Sequence, residues 1–179
     1  MTVPQTESVT LPVTLEPDNP LWRYALACWQ QPELAKACLD LQVQGWSVTR
    51  ILCAGWLGAN GRLFTGVEDA TVTEWRDRVT GRIRSARKSI PRHHDGSHDL
   101  RDSLAKSELK AEQTELALAW QTLNELNPEA GSMLECTNII VQNLLAAAPP
   151  RKREPQLMTH IEDLARLLAG SHTGSPLPC

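Results

Sequence analysis

Apolar positions recur at three- and four-residue intervals along most of this chain, the spacing that gives a helix one buried face. The first such run opens at Asn19-Pro20, a capping residue followed by a proline suited to a first helical turn. Leu21, Trp22, Ala25, Leu26 and Trp29 then form one stripe. Pro32 starts a second run with Leu34, Cys38 and Leu41 on one side, stopped by Gly45. Ser47 can cap a third, which carries Val48, Ile51, Leu52 and Trp56 and ends near Gly58 or Gly61. Short helices with such tight connections must pack as neighbours.

Beyond "GRLFTGVEDA" the spacing predicts a helix from Thr73 to Ile90, with Trp75, Val79, Ile83, Ala86 and Ile90 as its stripe. Pro91 ends it, because the residue before a proline is pushed out of helical backbone. A longer helix follows from Leu100 to Leu126, with Leu109, Leu116 and Leu123 seven apart and Ala119, Trp120 and Leu126 beside them. At about 1.5 Å per residue it would run roughly 40 Å. The pair reads as an antiparallel hairpin over residues 73–126, with the heptad of a coiled coil. "NPEAG" breaks the chain, Ser132 can cap a helix through Met133, Ile140, Val141, Leu144 and Leu145, and Pro149-Pro150 closes it. A last amphipathic stretch carries Leu157, Ile161, Leu164 and Leu168. No strand-like alternation persists and no repeat is visible, so the expected class is all-α: three short N-terminal helices, a long hairpin and two C-terminal helices. Residues 1–18 read as a disordered arm, 19–169 as one domain and 170–179 as a flexible tail.

Composition narrows the function more than the fold. The 179 residues are 41% hydrophobic and 22% charged, with a net charge of −3. That balance argues against a generally basic nucleic-acid binder. Five cysteines, an odd number without a CxxC pair, make neither a disulfide framework nor a zinc knuckle; four lie among apolar residues, where free Cys acts as a small hydrophobe. No stretch approaches the roughly twenty apolar residues that span a bilayer. The N-terminus has no basic residue before an apolar run, and "PLPC" is not a prenylation box. A cytoplasmic protein without a membrane partner is the expectation.

Three features could carry chemistry. The stretch "RHHDGSHD" sets His94 and His98 four apart, a metal-ligand spacing if helical, with His93, Asp95 and Asp99 to complete a set. Against this, Pro91 and Gly96 oppose a helix, Asp95-Gly96 is a turn dipeptide, and Asp99 is a good N-cap for the long helix. Upstream, Arg76, Arg78, Arg82, Arg84, Arg87, Lys88 and Arg92 crowd one helix against only Glu74 and Asp77. Such a helix could lie on phosphates or on an acidic protein patch. It could equally pair across the hairpin with Asp102, Glu108, Glu112, Glu115 and Glu125. Finally, Trp22, Trp29, Trp46 and Trp56 either fill the core or line a groove for an apolar helix. There is no GxSxG, no HExxH and no phosphate-binding Gly loop ending in Lys-Ser/Thr.

In residues 20–62 a pattern stands out: Leu21-Trp22, Tyr24-Ala25-Leu26, Pro32, Cys38-Leu39, Leu41-Gln42, Gly45 and Trp56-Leu57. It resembles the opening of a family of small proteobacterial proteins, domain of unknown function 2390. The likeness continues more weakly through "EWRDRVTGRIRSARKSI" and "LRDSLAKSELKAEQTEL", to about residue 120. Where family members carry an Asp-Val-Asn type lead-in to the third helix, this chain has "WSVTRIL". The resemblance implies a bacterial, cytosolic, helical protein and supplies no activity, cofactor or site residue. By elimination the leading expectation is a non-catalytic protein without a cofactor. It would bind another protein through the hairpin and a Trp-bearing surface. A nucleic-acid factor using residues 76–92, and a metal enzyme at residues 93–99, are the alternatives.

Overall fold

The computed structural model describes residues 7–130, 134–150 and 155–171. Its helices, in chain order, are α1 (Pro20–Trp29), α2 (Pro32–Val43), α3 (Val48–Ala59), α4 (Ala70–Trp75), α5 (Gly81–Ser89), α6 (His98–Leu126), α7 (Cys136–Ala147) and α8 (Pro155–Gly170). A single π turn, Arg76–Thr80, joins α4 to α5. Among the described residues there is no strand, only one isolated bridge between Arg62 and Glu129. The fold is all-α. No helix of the described residues is long and apolar enough to cross a membrane.

Helix α3 is the axis of the domain. Every one of its residues except Arg50 is buried, as expected for a helix apolar on all sides and enclosed by others. It packs on α7 and α8, on α1 and α2, and on α6. The approach to α7 is close enough that a Cβ on Gly58 would lie 2.4 Å from Cγ1 of Ile140 and 3.0 Å from its backbone. Only a glycine fits that crossing. Leu157, Ile161, Leu164 and Leu168 of α8 face the same core, as their spacing predicts. In α1 the buried set is Leu21, Tyr24, Ala25 and Cys28, whereas Leu26 is exposed and Trp22 and Trp29 are half-buried. The stripe is therefore rotated from the expected one, because Tyr24 reaches α8 and donates its hydroxyl to Leu168 O at 3.0 Å.

Three expectations need correcting. Residues 7–18 are not a free arm: Gln121 donates to Thr14 O at 2.5 Å, Gln113 to Pro17 O at 3.2 Å, Arg78 to Glu7 O, and Leu15 packs on the core. These bonds tie extended backbone to the hairpin without any regular element. The long helix begins at His98 with Ser97 at the cap position, so Asp99 lies in the first turn instead of capping it. There its charge still opposes the helix dipole. Leu109 is 49% exposed while Leu116 and Leu123 are buried, so the heptad seam is incomplete. Cys28, Cys38 and Cys53 are free and buried. Ser132 and Met133, Arg151 in "PPRKREP" and the tail from His172 to Cys179 lie outside the described residues.

Candidate functional site

The π turn decides which way the basic helix faces. Its wide hydrogen bond runs from the Gly81 amide to Arg76 O. One extra residue in the turn rotates everything after it by about 100°. The side facing α6 is therefore Arg76, Thr80, Arg84 and Arg87, one position beyond the apolar stripe of Val79, Ile83 and Ala86 that periodicity alone predicts. No residue of α5 is buried. This half of the hairpin is held by charge, not by an apolar seam.

Two ion-pair clusters result. In the inner one, Arg76 donates to Glu68 at 2.6 Å and to Glu115 at 2.7 Å, while Arg50 donates to Glu68 at 2.6 Å and to Ala146 O at 3.0 Å. Burial alone would raise the Glu68 carboxyl, but the bonds from Arg76 and Arg50 hold it below its ordinary value. In the outer cluster Arg84 donates to Glu108 at 2.8 Å and to Glu112 at 2.7 Å, and Arg87 also donates to Glu108. Glu108 would likewise rise with burial, yet Arg87 and Arg84 hold it below the ordinary carboxylate value. Glu112 goes the other way, because burial outweighs its bond to Arg84.

The expected pH dependence follows from these signs. Glu68 and Glu108 are stronger acids in the folded chain, so their pairing stabilises it above about pH 4.5 and is lost as pH falls through their lowered values. Glu112 has the opposite sign and gains stability over the same descent. Thermal melts from pH 7 to pH 3 should show Tm dropping below the ordinary carboxylate range, with a smaller drop in Glu108→Gln and a larger one in Glu112→Gln. A flat profile in the wild type would contradict the buried pairing.

The seven cations of the basic helix thus divide. Arg76, Arg84 and Arg87 are satisfied within the hairpin, and Arg78 pairs with Glu74. Arg82, Lys88 and Arg92 are exposed and make no ion pair among the described residues. The histidine stretch is spread over an exposed tip. His94 Nδ1 sits 3.3 Å from Ser97 Oγ, and His98 Nδ1 lies 3.5 Å from Asp102 and 4.0 Å from Asp99. Arg101 ties this tip down by donating to Arg87 O and Ile90 O, each at 2.5 Å. His93 and Asp95 are exposed beside it, and no group of three or more His, Cys, Asp or Glu among the described residues is arranged to hold a metal ion. The buried thiols offer no nucleophile either: burial pushes Cys28 to about 11 and Cys38 to about 12.

The tryptophans do converge. Gly45, at φ 93 in the left-handed region that glycine tolerates, turns the chain between α2 and α3 and delivers Trp46. Trp22, Trp29 and Trp46 line one cleft of about 300 Å³, closed on the far side by Arg84, Lys88 and Glu112. The cleft lies between the N-terminal helices and the hairpin. Trp46 is 3% exposed and its indole N–H has no hydrogen-bond partner among the described residues; the Thr80 hydroxyl in the π turn is likewise buried and unpartnered. Trp56 is elsewhere, packed edge-on against Trp120 with centroids 5.1 Å apart at 89°. Three of the four tryptophans and three of the seven basic side chains, Arg76, Arg84 and Lys88, therefore line one cleft, with Arg76 at its inner end. Glu68 and Arg50, which anchor that end, carry no sequence signal, being separated by a loop with no periodicity.

The sequence model of a family described as "Protein of unknown function (DUF2390)" matches residues 20–119, which spans α1 to most of α6 and every residue of the cleft. No curated protein and no solved structure matches the chain.

Proposed function

The chain belongs to the DUF2390 family, whose function is unknown, and on that footing we propose that it binds a partner protein in the cleft between the hairpin and the N-terminal helices, with no chemistry of its own. It would act as an adaptor or regulator in the bacterial cytoplasm. The observation that carries this is the convergence of Trp22, Trp29 and Trp46 beside Lys88. Tryptophan offers a large rigid contact area with a polar edge, and with arginine it dominates the energetic centres of protein interfaces. The satisfied ion pairs behind the cleft support a rigid wall and leave few charges free for a nucleic-acid backbone.

The test is co-purification from native lysate at low salt, with and without nuclease, using the wild type and Trp29→Ala. The expected result is a protein retained after nuclease and lost from the variant, whose own fold is checked by its melting curve. Bound material that disappears with nuclease would point instead to nucleic acid on Arg82, Lys88 and Arg92. A purified protein that turns over a substrate and stops when His94 and His98 become Ala would end the binding reading altogether.

A further inference from the structure

Granting that the cleft is the partner site, its chemistry specifies the partner further. The apolar part is lined by the three tryptophans with Leu52 and Leu109. Leu109 is half exposed although it holds a heptad position, so an apolar surface stands open where the seam would otherwise close. The polar part is unequal in charge. Arg76 and Arg84 are each bonded to two glutamates, which leaves Lys88 as the lining cation without an ion pair among the described residues. The cleft also runs out over α5 along Gly81, Ser85 and Ser89, sharing Arg84 and Lys88 with that shallower groove. An elongated ligand fits such a shape better than a compact one.

We infer that the occupant is an acidic peptide segment: one large apolar side chain seats among Trp22, Trp29 and Trp46, and an Asp or Glu pairs with Lys88. The rest of the segment lies along α5, where the small side chains let a backbone approach. The unpaired Lys88 disfavours a cation at its position as much as it favours an anion.

The experiment is selection of phage-displayed random dodecapeptides on the immobilised full-length protein, repeated on Lys88→Glu. Lys88 is exposed and unpaired, so this variant should melt with the wild type and report only on recognition. The wild type should enrich peptides with a large apolar residue close to Asp or Glu. Synthetic copies of these should shift Trp emission, and should bind Trp29→Ala and Lys88→Glu at least about tenfold more weakly, the equivalent of one lost favourable contact. Lys88→Glu should itself enrich Lys or Arg at the acidic position. Selection without acidic enrichment, acidic peptides that bind Lys88→Glu as well as the wild type, or no binders at all would each overturn the inference. If cellular proteins still need Trp29 while the library returns basic or neutral sequences, the partner site stands and its acidity falls. If nothing needs Trp29, the partner site itself has failed.

Discussion

Arg76→Met is expected to melt about 10–15 °C below the wild type. The substitution keeps most of the side-chain volume, so the loss is electrostatic. Glu115 has 2% of its side chain exposed, and its carboxylate accepts from Arg76. Removing that guanidinium strands a buried charge, which costs about 3–5 kcal/mol. A chain of this size loses about 2–4 °C per kcal/mol. Glu68 suffers less because Arg50 still reaches it at 2.6 Å. The physical claim is that the penalty comes from the unpaired partner, and a second variant separates it from simple loss of a contact. Replacing Glu115 by Leu in the Arg76→Met background should recover most of the lost stability, since an ion pair exchanged for apolar groups is often neutral. Differential scanning calorimetry on the two variants decides the matter. A single variant within about 2 °C of the wild type would mean that water already solvates this cluster.

Asn143→Leu should cost about 3 kcal/mol, for a different reason. Asn143 is buried on α7 and makes three bonds to two pieces of chain: it accepts from the Phe64 amide at 2.7 Å and donates to Ala54 O at 3.1 Å and Arg62 O at 2.9 Å. The side chain in effect holds the loop after α3 against α3 itself. Leucine of similar size fills the space but leaves the Phe64 N–H and the Arg62 carbonyl without that partner, at about 1–3 kcal/mol for each orphaned group. Hydrogen exchange localises the effect. The Phe64 amide should lose its protection well before the amides of α3, and equal loss at both would argue for general unfolding instead.

The electrostatic wall and the Asn143 clasp differ in how far they can be read from the chain. The acidic residues of α6 and the arginines opposite them are visible as charges that would pair across a hairpin, and Glu108, Glu112 and Glu115 do so, while Asp102 lies against His98 of its own helix. Their exact partners are not, because the π turn at Arg76–Thr80 shifts the facing side by one residue and no composition marks it. The same shift explains why Val79, Ile83 and Ala86, a sound apolar stripe on paper, do not form the seam. Asn143 looks like any polar residue on a helix, and only the loop and α3 brought against it give it three partners. The histidine stretch went the way its Pro91 and Gly96 indicated, to an exposed tip.

What the sequence determined by itself is the local, periodic part. Caps at Asn19 and Ser47, prolines at first turns and three-to-four spacing set the helices, and α3, apolar apart from Thr49 and Arg50, had to be central, since it could satisfy its surface nowhere else. Everything that depends on rotation and long-range approach is set by packing between elements. That includes which face α5 turns inward, that three of the tryptophans share one cleft, that Lys88 is left unpaired at its rim, and that residues 7–18 are strapped to the hairpin. Helical period fixes a face within an element, but a face's partner is chosen by packing, and one inserted residue is enough to change it.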